Sequence, residues 1–440
     1  MPKEINISDN KKSGQEVSKP TAKTEIKEHI SKQTSIQETT LEEAKTSEVA
    51  KVKKEKKPLK KWAIALIAAG SVLLVGGGLF AFYYFGIFKF VKDPSEVTEF
   101  PTNYLKPSTD IKADEELIKL PQPGEPRTEE SPLNGELFTI KEMEEMEKRR
   151  PVAVMINNHV QARPQSGLNS ADIVYEALTE SGITRYMAIF WSRAPEKVGS
   201  IRSARNYFLQ WLSPYDALYI HDGCAQSDNP EANACGNLYT YGIKDIGTAV
   251  SWRWNDGIRY APHNEYTSIT NAWEYGSNLD WDEFPDIESW SFKRDATAED
   301  RGEKGIIQIT FHTRLTNGGD YDVRWTYDPD TNTYLRRVGG EIDIDQETNT
   351  QVWAKNIVIQ EVDTSPAYDD TAHIIIKTID KGNATFLIDG QIIEGTWEKK
   401  SRTDRTTYYD KDGKEIQFNR GRIWIEAVST EDGRFDIIEQ

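Results

Sequence analysis

One long apolar run divides the chain into two unequal parts. No charged residue occurs between Trp62 and Phe88. A helix of this length, rising about 1.5 Å per residue, is about 40 Å long, which exceeds the roughly 30 Å core of a bilayer. Trp62 at one end and the neighbouring Tyr83 and Tyr84 near the other are typical of membrane interfaces. The pattern therefore predicts one transmembrane helix over residues 62–88.

The segments on either side of this run are polar. Residues 1–61 contain no Trp, Tyr or Phe, which predicts a disordered tail, and the six prolines of residues 89–131 predict an extended stalk. Lysines crowd residues 51–61, so the positive-inside rule places the tail in the cytoplasm and residues 89–440 outside the cell membrane. A cleaved signal peptide is disfavoured, because its apolar region spans only about 7–15 residues.

The pattern becomes globular from residue 132 onward. Strand-like runs at Val152–Ile156 and Ile183–Trp191 alternate with a helix-like segment around residues 200–212, which predicts an α/β sandwich over residues 132–275. The sequence ADIVYEAL, beginning at Ala171, is compatible with a strand or a short helix.

The C-terminal part has a different pattern of apolar and polar residues. Short strand-like runs follow one another over residues 305–435, with turn signals at Asp389-Gly390 and Asp412-Gly413, and the charged residues 276–304 connect the two parts. The predicted fold class is α+β: an N-terminal α/β sandwich-like domain is followed by a mainly antiparallel β domain, and one transmembrane helix and a disordered tail precede both.

Composition narrows the possible functions. The formal net charge is −17, which argues against a nucleic-acid-binding protein. Residues 1–61 carry +5, so the remainder carries −22, and any anion-binding site there must be a local exception. Two cysteines exclude a disulfide-rich scaffold and a four-cysteine zinc site. No nucleotide, zinc-protease or serine-hydrolase motif occurs, and we predict no cofactor and no metal.

The sequence RSAR suggests an anion site. We expect Ser200 or Ser203 to cap the helix that follows, which would place Arg202 and Arg205 beside its free N–H groups. Arg163, in the turn-like sequence ARPQSGL, is the third candidate. The alternatives are that the RSAR arginines pair with buried carboxylates and that Arg163 is a solvated surface residue.

Three residues are candidates for acid–base chemistry, and the catalytic residues remain unknown at this stage. His221 ends a strand-like run, and His263 follows a proline in a tight turn. Glu176 lies four residues from both Asp172 and Glu180, and paired carboxylates can serve as acid and base. The alternatives are structural roles for both histidines and a solvated helical face for the carboxylates.

Cys224 and Cys235 both lie in the predicted extracytoplasmic part, with ten residues between them. An oxidising exterior permits a disulfide, and closing such a loop would stabilise the fold by about 2–3 kcal/mol. We therefore predict that the two residues pair.

Several segments resemble the YerB-like proteins, a two-domain extracytoplasmic family of Gram-positive bacteria with no established activity. They occur in the family's order over about residues 131–430 and read RPVAVMINN, ARPQSGLNSADIVYEALTESGITRYMAIF, VGSIRSARNYF, YDALYIHDG, YAPHNEYT and GRIWI. Many relatives are lipoproteins, whereas this chain has an apolar helix in place of a lipid-modified cysteine. Asn157 stands where the family pattern has a carboxylate, and a cysteine-bearing insert follows His221.

Together these features predict a single-pass, membrane-anchored cell-envelope protein that binds a cell-wall component or a wall-synthesis partner. The alternative is a hydrolase or transferase that acts on an anionic envelope polymer at an Arg/His cleft. The predicted partners are the lipid bilayer, through Trp62–Phe88, and wall polymers or wall-synthesis proteins, with no nucleic acid. The sequence leaves open whether the protein is an enzyme and what its oligomeric state is.

Overall fold

The structure, a computed structural model, describes residues 124–303, 305–314 and 318–439. The predicted tail, the predicted transmembrane helix and most of the predicted stalk lie outside these residues. Within the described ranges, no helix is long and apolar enough to cross a membrane. The last residues of the predicted stalk belong to the folded part, because Glu129–Glu130 form a strand that pairs with Leu137–Phe138.

The described residues form a few short helices and many strands. The α-helices are α1 (Ile140–Met146), α2 (Asn206–Leu212), α3 (Ala234–Thr240) and α4 (Ile269–Ser277). The 3-10 helices are Val160–Ala162, Leu168–Ser170, Glu180–Gly182, Ser213–Tyr215 and Gly318–Tyr321.

The strands are numbered in chain order. In the first part they are β1 (Glu129–Glu130), β2 (Leu137–Phe138), β3 (Val152–Asn157), β4 (Ile173–Leu178), β5 (Thr184–Phe190), β6 (Val198–Gly199), β7 (Leu218–Ile220), β8 (Lys244–Gly247), β9 (Ser251–Arg253) and β10 (Glu265–Thr267). In the second part they are β11 (Ser291–Lys293), β12 (Ile306–Thr310), β13 (Val323–Asp328), β14 (Thr333–Val338), β15 (Glu341–Ile342), β16 (Ile344–Asp345), β17 (Thr350–Gln351), β18 (Trp353–Ala354), β19 (Asn356–Val362), β20 (Thr364–Pro366), β21 (Ile374–Ile376), β22 (Lys381–Ile388), β23 (Gln391–Glu398), β24 (Thr407–Asp410), β25 (Gln417–Asn419), β26 (Ile423–Ser429) and β27 (Arg434–Glu439).

A ten-stranded sheet runs through both parts of the chain, in the order β24-β23-β22-β19-β26-β4-β5-β3-β7-β8. The two parts meet where β26 pairs in parallel with β4, and this pairing places Glu426 directly beside Glu176. A six-stranded sheet, β15-β14-β13-β12-β27, with β18 paired to β14, belongs entirely to the second part. The main chains of the two predicted domains are therefore joined by a continuous hydrogen-bond ladder.

Both faces of the central strands of the ten-stranded sheet are buried. Alternate side chains of β4 point to opposite faces, as strand geometry requires, so that Tyr175 packs in one apolar cluster and Val174 in another. Helix α2 covers the first face with Phe208 and Trp211, and the six-stranded sheet covers the second with residues such as Trp325. Strands buried on both faces explain the nearly continuous apolar runs of β3 and β5.

The predicted helix at RSAR begins later than expected. Helix α2 starts at Asn206, with Arg205 in an extended conformation at its N-cap and no side-chain capping bond. Ser203 does not cap the helix, because its hydroxyl donates to the carbonyl of Asp222. Arg202 therefore lies in an extended segment, and the expectation that both arginines sit in a first helical turn was wrong.

The three carboxylates spaced by four residues do not share a helical face. The sequence ADIVYEAL forms strand β4, in which Glu176 lies, while Asp172 precedes the strand and Glu180 follows it. Asp172 and Glu176 are both completely buried. The alternative of a solvated helical face was therefore wrong, because these positions lie in and next to a central strand.

Candidate functional site

The candidate site lies at the carboxyl ends of two parallel strands. Strand β3 ends at Asn157, and β7, its parallel neighbour, is followed directly by His221. Residues 198–205 cross this edge, where the main-chain N–H of Arg202 donates to the carbonyl of Met155 over 2.9 Å. The crossing segment brings the RSAR sequence to the edge where loops after parallel strands form clefts.

Two histidines form a stacked pair at this edge. The ring centroids of His159 and His263 are 4.5 Å apart, and the ring planes differ by 22°. Asn157 contacts both residues: its Oδ1 accepts from the main-chain N–H of His159 over 2.9 Å, and its Nδ2 lies 2.9 Å from Nδ1 of His263. His263 follows the cis peptide bond between Ala261 and Pro262. The pair is thus attached to the end of β3 by a single amide side chain.

Both histidines favour the neutral form. Burial lowers the pKa of His159, and the nearby charges of Arg202 and Arg163 lower it further, against an opposing effect of Asp320. Burial likewise lowers the pKa of His263, followed by the effects of His159 and Arg202. Because both pKa values fall below the ordinary value of 6.5, the neutral form of each ring predominates at neutral pH.

Arg202 is a half-buried cation without a direct partner. In the part of the chain that the structure describes, its guanidinium makes no hydrogen bond or ion pair. Burial lowers its pKa, and Arg205 and Arg253 reinforce this effect, while Asp222 opposes it. A guanidinium has five N–H donors in a planar fork, so Arg202 is available for an oxyanion.

Arg163 lies at the inner side of the same region. Its Nε donates to Oδ1 of Asn158 over 3.1 Å, and its Cζ lies 5.2 Å from the ring centroid of Tyr321. Its Nη2 is buried and has no hydrogen-bond partner among the described residues. Arg163 therefore contributes positive charge near His159 rather than an exposed donor in this conformation.

Arg205 is occupied by a carboxylate. Its Nε and Nη2 donate to the two carboxylate oxygens of Glu180 over 2.6 and 2.7 Å, and its Nη1 donates to the carbonyl of Ala204. Burial alone would raise the pKa of Glu180, but Arg205 lowers it below the ordinary value. The two RSAR arginines thus differ: Arg205 pairs with a carboxylate of the protein, as the alternative interpretation expected, and Arg202 does not.

A third guanidinium adds to the positive charge. Burial and the charges of Arg205 and Arg202 lower the pKa of Arg185 to about 9, although Glu180 opposes them. Nη1 of Arg185 donates to the carbonyl of Ser203, the central residue of the RSAR sequence. Such a local excess of positive charge would allow an otherwise acidic chain to bind an anion.

His221 lies at this edge and Glu176 lies within strand β4, and both side chains are already engaged by other residues. The Nδ1 of His221 is 2.7 Å from the carbonyl of Gly223, and its Nε2 is 2.9 Å from Oδ1 of Asp245. Both ring nitrogens therefore face oxygen acceptors. Glu176 is completely buried and forms an ion pair with Arg336 over 2.6 Å. Of the three catalytic candidates, His221 and His263 lie at this edge, and only His263 has a ring nitrogen, Nε2, without a partner among the described residues.

Two further observations concern covalent and metal chemistry. The sulfur atoms of Cys224 and Cys235 are bonded at 2.05 Å, which ties the segment after β7 to helix α3. Within the described residues there is no group of three or more His, Cys, Asp or Glu side chains that could hold a metal ion.

Sequence reasoning missed His159 and Arg185. His159 follows the end of β3 by two residues, and the argument that made His221 a candidate, a histidine at a strand end, applies equally to it. Arg185 lies within β5 in a largely apolar run, and only the antiparallel pairing of β3 with β5, which sets it opposite Asn157, brings it to this edge.

Comparison with known proteins gives consistent matches over both parts of the chain. Residues 138–282 match the N-terminal domain, and residues 311–425 the C-terminal domain, of the family described as "Protein of unknown function (DUF3048)". The protein named "Putative lipoprotein YerB" of Bacillus subtilis (strain 168) is 34% identical over 301 residues, which is 67% of this chain and 86% of that protein. The crystal structure of YerB protein from Bacillus subtilis matches with a TM-score of 0.60 and 29% identity, over 70% of this chain and 100% of that chain.

Proposed function

This chain belongs to the DUF3048 family, as its YerB-like segments predicted, and from that membership we propose that it is a membrane-anchored, extracytoplasmic cell-envelope protein that binds an anionic envelope component. The binding site is the edge formed by Arg202, His159 and His263, with Arg163 and Arg185 adding positive charge. Wall polymers and wall-synthesis proteins are the candidate partners.

The unpartnered guanidinium of Arg202 is the observation that supports this proposal. A half-buried cation without a hydrogen-bonded counter-ion is less favourable than a paired one, and a ligand can supply that partner. Arg205, three residues away, shows the common solution, which is a bidentate bond to a carboxylate. The positive charge around Arg202 is also exceptional in a chain of formal net charge −17. An anionic ligand accounts for both features.

The proposed membrane anchor is supported by the sequence and by the similar YerB protein. The apolar run at residues 62–88 is long enough to span a bilayer, and the lysines before it orient the tail toward the cytoplasm. The similar YerB protein is named as a lipoprotein, a class of protein that is attached to a membrane by lipid. A helix in place of the lipid would hold this chain at the same surface.

Binding is favoured over the alternative of a hydrolase or transferase. Such an enzyme would need a free acid or base beside the bound anion. His221 and Glu176 are already engaged by other residues, and Nδ1 of His263 is occupied by Asn157. Binding of an anion by Arg202 and the histidine pair, without bond cleavage, requires no free base.

Binding is tested with the full-length protein in a mild detergent. Isothermal titration calorimetry with inorganic phosphate, and sedimentation with purified cell-wall polymer, should both show binding for the parent chain. The variant R202Q should lose it, whereas R434Q, which removes an exposed arginine from β27, should bind as the parent does. Equal binding by R202Q and the parent would refute the site, and release of product from the polymer would favour the enzyme.

The anchor is tested separately by topology. An external protease added to intact protoplasts should degrade the chain from about residue 91 onward and spare an epitope tag at residue 1. Protection of the C-terminal part would contradict the proposed orientation.

A further inference from the structure

We propose that His159 and His263 bind the ligand as neutral hydrogen-bond donors through their Nε2–H groups, that Asn157 imposes this state on His263, and that the ligand group is an oxyanion. This inference rests on the proposed anion-binding function, and it assigns to the histidine pair the role of a receptor rather than that of a general base.

The orientation of the Asn157 amide follows from its two contacts. Its Oδ1 lies 2.9 Å from the main-chain nitrogen of His159, which can only donate, so this atom must be the oxygen. The other end, Nδ2, therefore faces Nδ1 of His263 over 2.9 Å. Because an amide nitrogen only donates, Nδ1 of His263 must accept. The single proton of the neutral ring is then on Nε2.

The same reasoning applies to His159 through a different partner. Its Nδ1 accepts from the main-chain N–H of Gln161 over 3.2 Å, as the cap of the 3-10 helix Val160–Ala162. A main-chain N–H cannot accept, so the neutral ring of His159 also carries its proton on Nε2. Two stacked rings thus have the same tautomer, set by two independent bonds.

The tautomer decides what the pair can do. A general base needs a lone pair directed at the substrate, and in both rings the lone pair on Nδ1 is already used within the protein. The Nε2–H groups are donors, like the free N–H groups of Arg202. A set composed only of donors binds oxygen atoms that carry negative charge, as in a phosphoryl or carboxylate group.

Nitrogen-15 spectra of the histidine side chains test the tautomers without any ligand. In the full-length protein at pH 7, two histidines should show an unprotonated Nδ1 and a protonated Nε2, and the spectra of H159Q and H263Q assign them. In N157D the new carboxylate should accept from Nδ1–H of His263, so the proton moves from Nε2 to Nδ1. A His263 that carries its proton on Nδ1 in the parent protein would overturn the inference.

Anion titrations of the same variants test the consequence. N157D, which is nearly isosteric with the parent, should bind inorganic phosphate at least about tenfold more weakly, because a donor is lost and a like charge is added. The control N255D adds the same charge on an exposed residue of the β9–β10 loop that does not contact the histidines, and it should bind nearly as the parent does. Parallel titrations with acetate distinguish phosphoryl from carboxylate ligands.

The outcomes separate this inference from the proposed function. Loss of phosphate binding in R202Q together with unchanged binding in N157D would leave the anion site in place and overturn the donor role of the histidines. Unchanged binding in R202Q would refute the proposed function itself. Equal weakening in N157D and N255D would show that charge alone acts, which would also overturn the role of Asn157.

Discussion

Arg336, in the interior, and Arg202, at the edge of the sheet, differ in whether carboxylates of the protein bond to their guanidinium groups. At the junction of β4 and β26, Arg336 is fully buried and bonds both Glu176 and Asp343. At the edge of β3, Arg202 is half-buried, and its guanidinium has no such partner in the described part of the chain. The first cluster is complete within the fold, whereas the second lacks an anion. The contrast distinguishes a charge that stabilises structure from one that is available for binding.

The interior cluster, which consists of Arg336, Glu176 and Asp343, also has a third carboxyl group beside it, that of Glu426. Glu426 lies beside Glu176 in the parallel β4–β26 pair, and Trp325 donates to its Oε1 over 2.7 Å. Burial, followed by the charge of Glu176, raises the pKa of Glu426 well above its ordinary value. Glu426 therefore favours its neutral form more than an ordinary glutamate does.

The largest effect is expected from breaking the interior cluster. R336M would leave Glu176 and Asp343 as buried, unpaired charges and should lower the free energy of unfolding by about 3–5 kcal/mol. Chemical denaturation of the full-length protein in detergent measures this, with R434Q as the control. A loss below about 1 kcal/mol would mean that the cluster does not depend on Arg336.

Arg202 and Arg205 allow the same comparison, between an unpaired and a paired arginine, within one short segment. R205Q removes the partner of Glu180 and should cost about 1.5–3 kcal/mol of unfolding free energy, the range for hydrogen bonds to a charged group. R202Q removes no direct protein contact and should change stability by less than about 0.5 kcal/mol. Denaturation curves of both variants should therefore separate clearly. Equal losses in the two variants would contradict the distinction between a paired and an unpaired arginine.

The protonation of Glu426 predicts a pH dependence of stability. Because its pKa in the folded state is raised above the unfolded value, the folded protein binds the extra proton between these two pKa values, and stability falls as the pH rises through them. E426Q keeps a neutral side chain at every pH. Its stability relative to the parent should therefore increase between pH 5 and pH 8, as followed by denaturation at each pH. A constant difference would contradict a protonated Glu426.

The smallest effect concerns anion binding and the histidine pair. Since burial and neighbouring arginines lower the pKa of His159 and His263 below 6.5, both rings should be mainly neutral between pH 8 and pH 7. Sulfate, which does not titrate in this range, should bind with constant affinity there and more tightly only below it. Calorimetry at several pH values tests this. A steady rise in affinity from pH 8 to pH 7 would show that the rings are already becoming charged.

The sequence predicted the two-part fold better than it predicted the site. Apolar runs and Asp-Gly turns identified most of the longer strands, since they depend on local patterns, but they missed β23 and many of the short strands. The pairing of β4 with β26 could not be predicted, because it joins residues about 250 positions apart that carry no mutual signal. Pairing of Arg205 with a carboxylate was one of the alternatives, but the sequence did not identify Glu180, 25 positions away, as the partner; the family resemblance was confirmed. The anion site could not be predicted with certainty, because the sequence does not show which of several similar arginines remains unpaired.

The most direct test of the central claim is a phosphate titration followed by nitrogen-15 spectra of arginine and histidine side chains. We expect that the Nε–H signal of Arg202 and the Nε2–H signals of His159 and His263 shift along one common binding curve, while the signals of Arg205 and Arg336 stay in place. Unchanged signals of Arg202 and both histidines at saturating phosphate would contradict it.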